Sequence, residues 1–296
     1  MRKHSLPMLS DLLARHRAAW RGALLAAGLI LAAPAHADLA DIEKRGTMTV
    51  ATEDDYAPFN FIAEGKPSGF HAELLEDLKA YAKFEIRQEI LPWTGLLAAV
   101  SGGQYDMAFT GALVTDERLR VFDFAPPFAS AQHYYVKRAG DDRLSDVASL
   151  SGKTVGLQAG SALLARLPEL EKMLAQTGGK LGQVVQYQSY PEAYADLANG
   201  RLDYVINAVI SVNDLVKARP KVFEKGVAVS GDGFAAWPIP KNSPGLRDFM
   251  AGFMTHIRDS GRLAALQEKW FGETFPDLPT EPITTVEQFH RLAGLQ

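Results

Sequence analysis

From residue 48 onward, short apolar runs alternate with segments whose apolar residues return every three or four positions. Residues 48–52 are a compact apolar run that predicts a buried strand, and Pro58 stops any helix in the loop that follows. Residues 59–70, broken by Gly65, Pro67 and Gly69, predict a hairpin. Leu74, Leu75, Leu78 and Tyr81 recur at helical spacing and predict a helix over 72–84. A strand at 84–90, a small helix at 95–101 closed by Gly102 and Gly103, and strands at 106–109 and 121–124 complete a first block. A strand at 134–137 leads into a polar connector, and then the pattern restarts. Strands at 154–157, 184–187 and 203–206 alternate with helical segments, including 190–199 capped by Gly200 and 209–218. A strand at 234–237 and helices at 245–260 and 262–271 follow; residues 276–296 are only weakly patterned. Strands alternating with helices indicate α/β layers, and two blocks, each too small for the whole core, indicate two lobes.

The N-terminus does not fit that pattern. Arg2, Lys3, Arg15, Arg17 and Arg21 precede an apolar run over 22–33, and Ala35, His36 and Ala37 read as an A-x-A cleavage site. Residues 1–37 are therefore expected to be a cleaved signal peptide, which places the mature chain in the periplasm. No cysteine follows the apolar run, which excludes a lipoprotein anchor. Without the leader's five basic residues and one acid, 26 Lys/Arg face 34 Asp/Glu, a net charge of −8. That balance argues against nucleic acid or anionic lipid as partner. The absence of cysteine excludes a thiol nucleophile and Cys-ligated metal, and leaves stability to the core.

Candidate chemistry gathers at 110–118. The strand at 106–109 ends in small and hydroxyl residues and then in Arg118. A strand end that delivers backbone N–H groups, the Thr110 hydroxyl and a guanidinium to one point suits a small anion. On these residues alone, a strand-to-helix turn with a solvated arginine reads equally well.

Five segments, in order, widen the view: Asp55, Tyr56, Pro58 and Phe59 with Gly69 and Phe70; Trp93 to Leu96; Tyr105 and Asp106 through Thr115 to Arg118 and Asp123; Leu150 to Gly156 with Gly160 and Ser161; and Gly200 to Asp203. Glu268 to Gly272 closes the series. Together they resemble the bacterial extracellular solute-binding proteins of family 3, periplasmic receptors for polar amino acids in ABC importers. The resemblance implies an α/β fold of type II, two lobes joined by two crossover strands, with the ligand in the cleft. Lobe 1 is expected over 38–130 plus 230–275 and lobe 2 over 134–226, leaving 276–296 as a C-terminal tail. It implies that Arg118 grips a ligand carboxylate, aided by backbone N–H groups near Thr110, Gly111 and Leu113, and that Tyr56 and Trp93 sandwich the ligand's side chain. A structural pairing of Arg118 with Asp116 or Glu117 is the alternative. The partners implied are a small carboxylate-bearing solute and an inner-membrane permease; a monomer without cofactor or metal is expected.

Where the sequence leaves the family's pattern, ligand identity is at stake. Leu113 stands where the family usually has Ser or Thr, Ala162 follows Ser161 where Thr is common, and Ala208, beside Asn207, replaces the carboxylate that pairs the ligand's α-ammonium. A buried ammonium without a counter-charge is costly. The ligand is therefore expected to carry a carboxylate without being a standard α-amino acid, with Ser161 and Asn207 free to bond hydroxyl or amide groups.

A non-catalytic receptor is thus expected, with no catalytic residue. The competing reading is a cyclohexadienyl or prephenate-type dehydratase on the same fold. It needs a cleft carboxyl with a raised pKa, and only Glu53, Asp54 and Asp55 lie near the cleft. Asp54 and Asp55 also read as solvated loop charges or as partners for a distal ligand cation. No phosphate-binding loop, zinc-protease helix or nucleophile elbow appears. His71, His133, His256 and His290 are scattered and suggest no metal site; His133 alone, near the crossover, merits a closer look.

Overall fold

A computed structural model describes residues 38–295; the expected signal peptide lies outside the described residues. Two sheets organise the chain. In the first, Thr47–Glu53 lies between Glu85–Leu91 and Met107–Ala108 and runs parallel to both, with Met48 opposite Ile86 and Val50 opposite Met107. Parallel neighbours need a crossover, and helix Phe70–Tyr81 supplies it. Its buried Phe70, Leu74, Leu75 and Leu78 form one stripe against the sheet, the spacing that predicted a helix here.

The second sheet has the order Val184–Tyr187, Val155–Gln158, Tyr204–Ala208, His133–Arg138, Phe223–Ala228. The first three strands are parallel, and His133–Arg138 runs antiparallel to both of its neighbours. Phe223–Ala228 does not announce itself in sequence. It is an edge strand with only Phe223 fully buried, so Glu224, Lys225 and Gly226 dilute its pattern.

Two segments pass between the sheets side by side. Ala129–Ser130 pairs antiparallel with Phe234–Ala235. The pairing continues through Ala131 N–H to the Gly233 carbonyl (2.9 Å), Val229 N–H to the His133 carbonyl (2.9 Å) and His133 N–H to Ser230 Oγ (2.9 Å). The strand expected over 234–237 is in fact two short ones. Phe234–Ala235 belongs to this crossing, Pro238–Pro240 pairs with Phe122–Phe124, and Trp237 between them is fully buried against Phe109.

The C-terminal segment is tied into the fold. Ile283 forms a bridge with Phe124, and helix Val286–Ala293 starts at a Thr285 cap that accepts from Gln288 N–H. Phe289 is this helix's only buried residue. Among the described residues no helix is long and apolar enough to cross a membrane.

Candidate ligand-binding site

Both sheets aim strand ends at one cavity. From the first sheet come Glu53, the last residue of Thr47–Glu53, then Tyr56 in the short strand Asp55–Tyr56 that follows it, and Gly111, Leu113 and Arg118 after Met107–Ala108. From the second come Gln158, the last residue of Val155–Gln158, Ser161 to Leu163 after it, and Tyr190 at the start of Tyr190–Ala198. Trp93 closes one side. Its turn depends on Gly95, whose φ of 92° breaks the first turn of Trp93–Ser101. Gly111 is needed for space: a Cβ there would meet the Tyr56 and Phe59 rings at 3.0 Å. The cavity is tight: about 20 Å³ of it is open to the centre of a water.

The two sheet systems are closed over this space. Ser211 Oγ donates to the Ala57 carbonyl (2.9 Å), Tyr56 OH to Asn207 Oδ1 (3.4 Å), and Arg118 Nη2 to the Gly160 carbonyl (3.2 Å). The Tyr56 and Tyr190 rings stack at 6.0 Å.

Arg118 opens a short 3-10 turn, its N–H bonded to Thr115 Oγ1, and is only 9% exposed. Its Nη1 donates to the Leu113 carbonyl at 2.8 Å, and its guanidinium lies 5.0 Å from the Trp93 ring centre. Among the described residues it forms no ion pair; Asp116 instead meets His290 Nε2 at 2.8 Å. Burial lowers its pKa to about 10, against the pull of Tyr56, Glu117 and Glu53. A desolvated guanidinium without a carboxylate is expensive, and a ligand anion would relieve that cost.

Glu53 is the second charge at the cavity, 3% exposed. One oxygen accepts from Thr110 Oγ1 at 3.2 Å; the other has no partner. Gln158 stands close enough to favour the carboxylate, but no hydrogen bond closes on Oε1, and its amide donates to the Gln188 carbonyl. Burial, with Asp55 and Asp54 nearby, raises the Glu53 pKa to about 8. Ser161 Oγ and Tyr190 OH are also buried and unpartnered.

Six of the residues expected from sequence, Tyr56, Trp93, Gly111, Leu113, Arg118 and Ser161, line the cavity. Thr110 stands behind it, holding Glu53. Asn207 lies a layer away: its amide donates to Tyr194 OH (2.8 Å) and its oxygen accepts from Ala208 N–H and Tyr56 OH. Glu53, Gln158 and Tyr190 were not singled out as ligand contacts. The signal for Glu53 was present, an acid ending a buried strand, but its neighbours Asp54 and Asp55 made the trio read as a loop mouth. His133 is buried in the crossing with its Nε2 unpartnered, away from the cavity. Among the described residues no cluster of three His, Cys, Asp or Glu could hold a metal.

These features define a two-sheet α/β fold with a cavity where strand ends of both sheets converge. A family profile, bacterial extracellular solute-binding proteins, family 3, matches residues 48–273, and the chain belongs to that family. It is 28% identical over 237 residues to the L-cystine-binding protein TcyJ of Escherichia coli (strain K12), covering 78% of this chain and 85% of TcyJ. Among solved structures it resembles the arginine-, lysine-, histidine-binding protein ArtJ of Geobacillus stearothermophilus, with TM-score 0.69 and 26% identity over 78% of this chain and 97% of that one. The fold is also that of AncCDT-1, an ancestral amino acid-binding protein described as a precursor of cyclohexadienyl dehydratase, with TM-score 0.68 and 22% identity over 78% of this chain and 98% of that one.

Proposed function

We propose that the protein is the periplasmic receptor of an ABC importer and that it binds a small carboxylate-bearing solute between two lobes, 38–130 plus 230–275 and 134–226. The observation that carries this is Arg118: buried, ion-paired with no acid among the described residues, and at the cavity where both sheets converge. Its planar fork has one edge tied to two carbonyls and is fixed in place for an anion. TcyJ and ArtJ, named for amino acids they bind, support the amino acid-like class. The expected signal peptide and the family's extracellular setting support export. Delivery would then be to a permease in the inner membrane. Thermal-shift and calorimetric titration of the purified protein with small carboxylates tests the reading. Arg118→Ala is expected to weaken the best carboxylate at least 100-fold, about 3 kcal/mol. Unchanged affinity rejects the grip.

One observation favours a second reading. The dehydratase alternative requires a cleft carboxyl that holds its proton near neutrality, and Glu53 is one. Incubation with prephenate, followed by product absorbance, separates the two. Turnover that disappears in Glu53→Gln overturns the receptor reading.

A further inference from the structure

The two charged groups at the cavity stand in different company. Arg118 is held by Leu113, Gly160 and Trp93; Glu53 is held by Thr110 with Gln158 beside it. They share no hydrogen-bond partner. Among the described residues no carboxylate closes to ion-pair distance of the guanidinium, although Glu117 and Glu53 act on it from farther away. The Leu113 and Gly160 carbonyls already accept from Arg118, and the adjoining side chains Leu113 and Ala162 are apolar. Position 208 brings only a buried methyl. Around Glu53 the reverse holds: Oε1 is buried and unpartnered. The same cavity is also lined by Tyr56, Trp93 and Leu163, an apolar lining that suits methylenes.

We infer that the ligand is a compact ω-amino carboxylate, with its carboxylate on Arg118, its ammonium several bonds away on Glu53 Oε1, and no ammonium beside the carboxylate. This rests on the carboxylate-receptor reading above. An α-ammonium at the guanidinium would find neutral groups, the Ser161 and Tyr190 hydroxyls, in place of a carboxylate. An ω-ammonium meets a carboxylate whose own burial it relieves. Binding then carries a proton step. Free Glu53 holds its proton at pH 7; the arriving ammonium displaces it to solvent, and the carboxylate pairs with the ammonium.

Calorimetry of the full mature protein at pH 7, in phosphate and in Tris, tests this with 4-aminobutyrate and 5-aminopentanoate. The comparison ligands are butanoate, 1-aminobutane, L-2-aminobutyrate and L-arginine. An ω-amino acid is expected to bind at least 30-fold tighter than butanoate and L-2-aminobutyrate. The buffer dependence should show close to one proton released. Glu53→Gln should abolish the release and bring the ω-amino acid down to the affinity of butanoate, which itself should hardly change. Equal or tighter binding of either L-α-amino acid overturns the ω-amino inference and leaves the carboxylate receptor standing. So does ω-amino acid binding that is unchanged in Glu53→Gln. If no carboxylate binds in a manner that Arg118→Ala abolishes, the receptor reading fails and this inference with it.

Discussion

Glu53 and His71 sit on the same side of the molecule, one ending the strand of the first sheet and the other at the start of the helix packed on it. Both are enclosed, and both carry polar atoms without a partner: Oε1 of Glu53, and both ring nitrogens of His71. Their surroundings differ. The His71 ring is packed by Phe70, Phe109 and Phe128 at 4.9 to 5.3 Å and borders Trp237. Glu53 borders the cavity. Burial pushes both toward neutrality, Glu53 up to about 8 and His71 down to about 3. The lesson is that an unpartnered buried atom points to a ligand where it borders space. Where rings fill that space it reports only a neutral group dissolved in the core.

The two groups also pull stability in opposite directions with pH. Glu53 binds its proton more tightly when folded, so its contribution is full below about 4.5 and is lost as pH rises toward 8. His71 binds its proton less tightly when folded, so its contribution is full above 6.5 and is lost as pH falls toward 3. Between about 4.5 and 6.5 the two slopes cancel. The largest effect is expected from removing Glu53's charge. Glu53→Gln should stabilise the ligand-free protein at pH 8 relative to wild type by on the order of 4 kcal/mol, read by urea unfolding. Up to about pH 6 Asp55 still opposes His71 in the variant, and from there to 6.5 its stability should climb with pH. Tyr56, Tyr190 and Arg118 also face this site, and Asp54 and Asp55 border it. Tyr56 and Tyr190 stay protonated and Arg118 stays charged throughout this range, so they do not supply the slope. Asp55, raised to about 6, adds a slope of the same sign as Glu53's over a narrower window, about pH 3.8 to 6, and it survives the substitution. Indistinguishable stability of variant and wild type at pH 8 would show Glu53 to be solvated.

His71→Leu is the complementary experiment and should have the next largest effect. At pH 7.5 it should change stability by roughly 1 kcal/mol, since a neutral ring gives way to an aliphatic of similar burial. At pH 5, where the wild-type unfolded chain gains a proton at His71, the variant should be favoured by about 2 kcal/mol. Ligand affinity should be unchanged, because His71 does not border the cavity. A weaker ligand response without loss of fold would break the distinction between the two buried groups.

Much of this was legible in the chain. Leu74, Leu75 and Leu78 gave the crossover helix, and the βα alternation gave two α/β blocks, because one-sided burial leaves a period in the sequence. Arg118 was legible because its turn is a local motif. Phe223–Ala228 was not, since an edge strand buries too little to leave a period, and Val286–Ala293 spans only two turns, too short for its spacing to stand out. Glu53 needed the structure for another reason. Whether an acid after a buried strand is solvated depends on residues distant in sequence, here Thr110 and Gln158. Nothing local separates Glu53 from Asp54. Asn207 shows the same limit in reverse: at the end of a sheet strand it had the address of a ligand contact, but its side chain is spent on Tyr194 and its neighbour's backbone.

The smallest expected effect probes the alternative account of Arg118, in which a nearby acid is its true partner. Asp116, two residues away, is the natural candidate by sequence, yet its carboxylate turns to His290 on the C-terminal helix at 2.8 Å. Both side chains are more than a third exposed, so water screens the pair and its loss is worth under about 1 kcal/mol. Asp116→Asn should therefore lower stability by no more than that and leave carboxylate affinity within about twofold, since Arg118 keeps the Leu113 and Gly160 carbonyls that fix its fork. Titration of the variant beside wild type decides it. A tenfold change in carboxylate affinity would mean that Asp116 sets the position or charge of Arg118. The guanidinium would then belong, like His71, to the structure's internal accounts and not to the ligand.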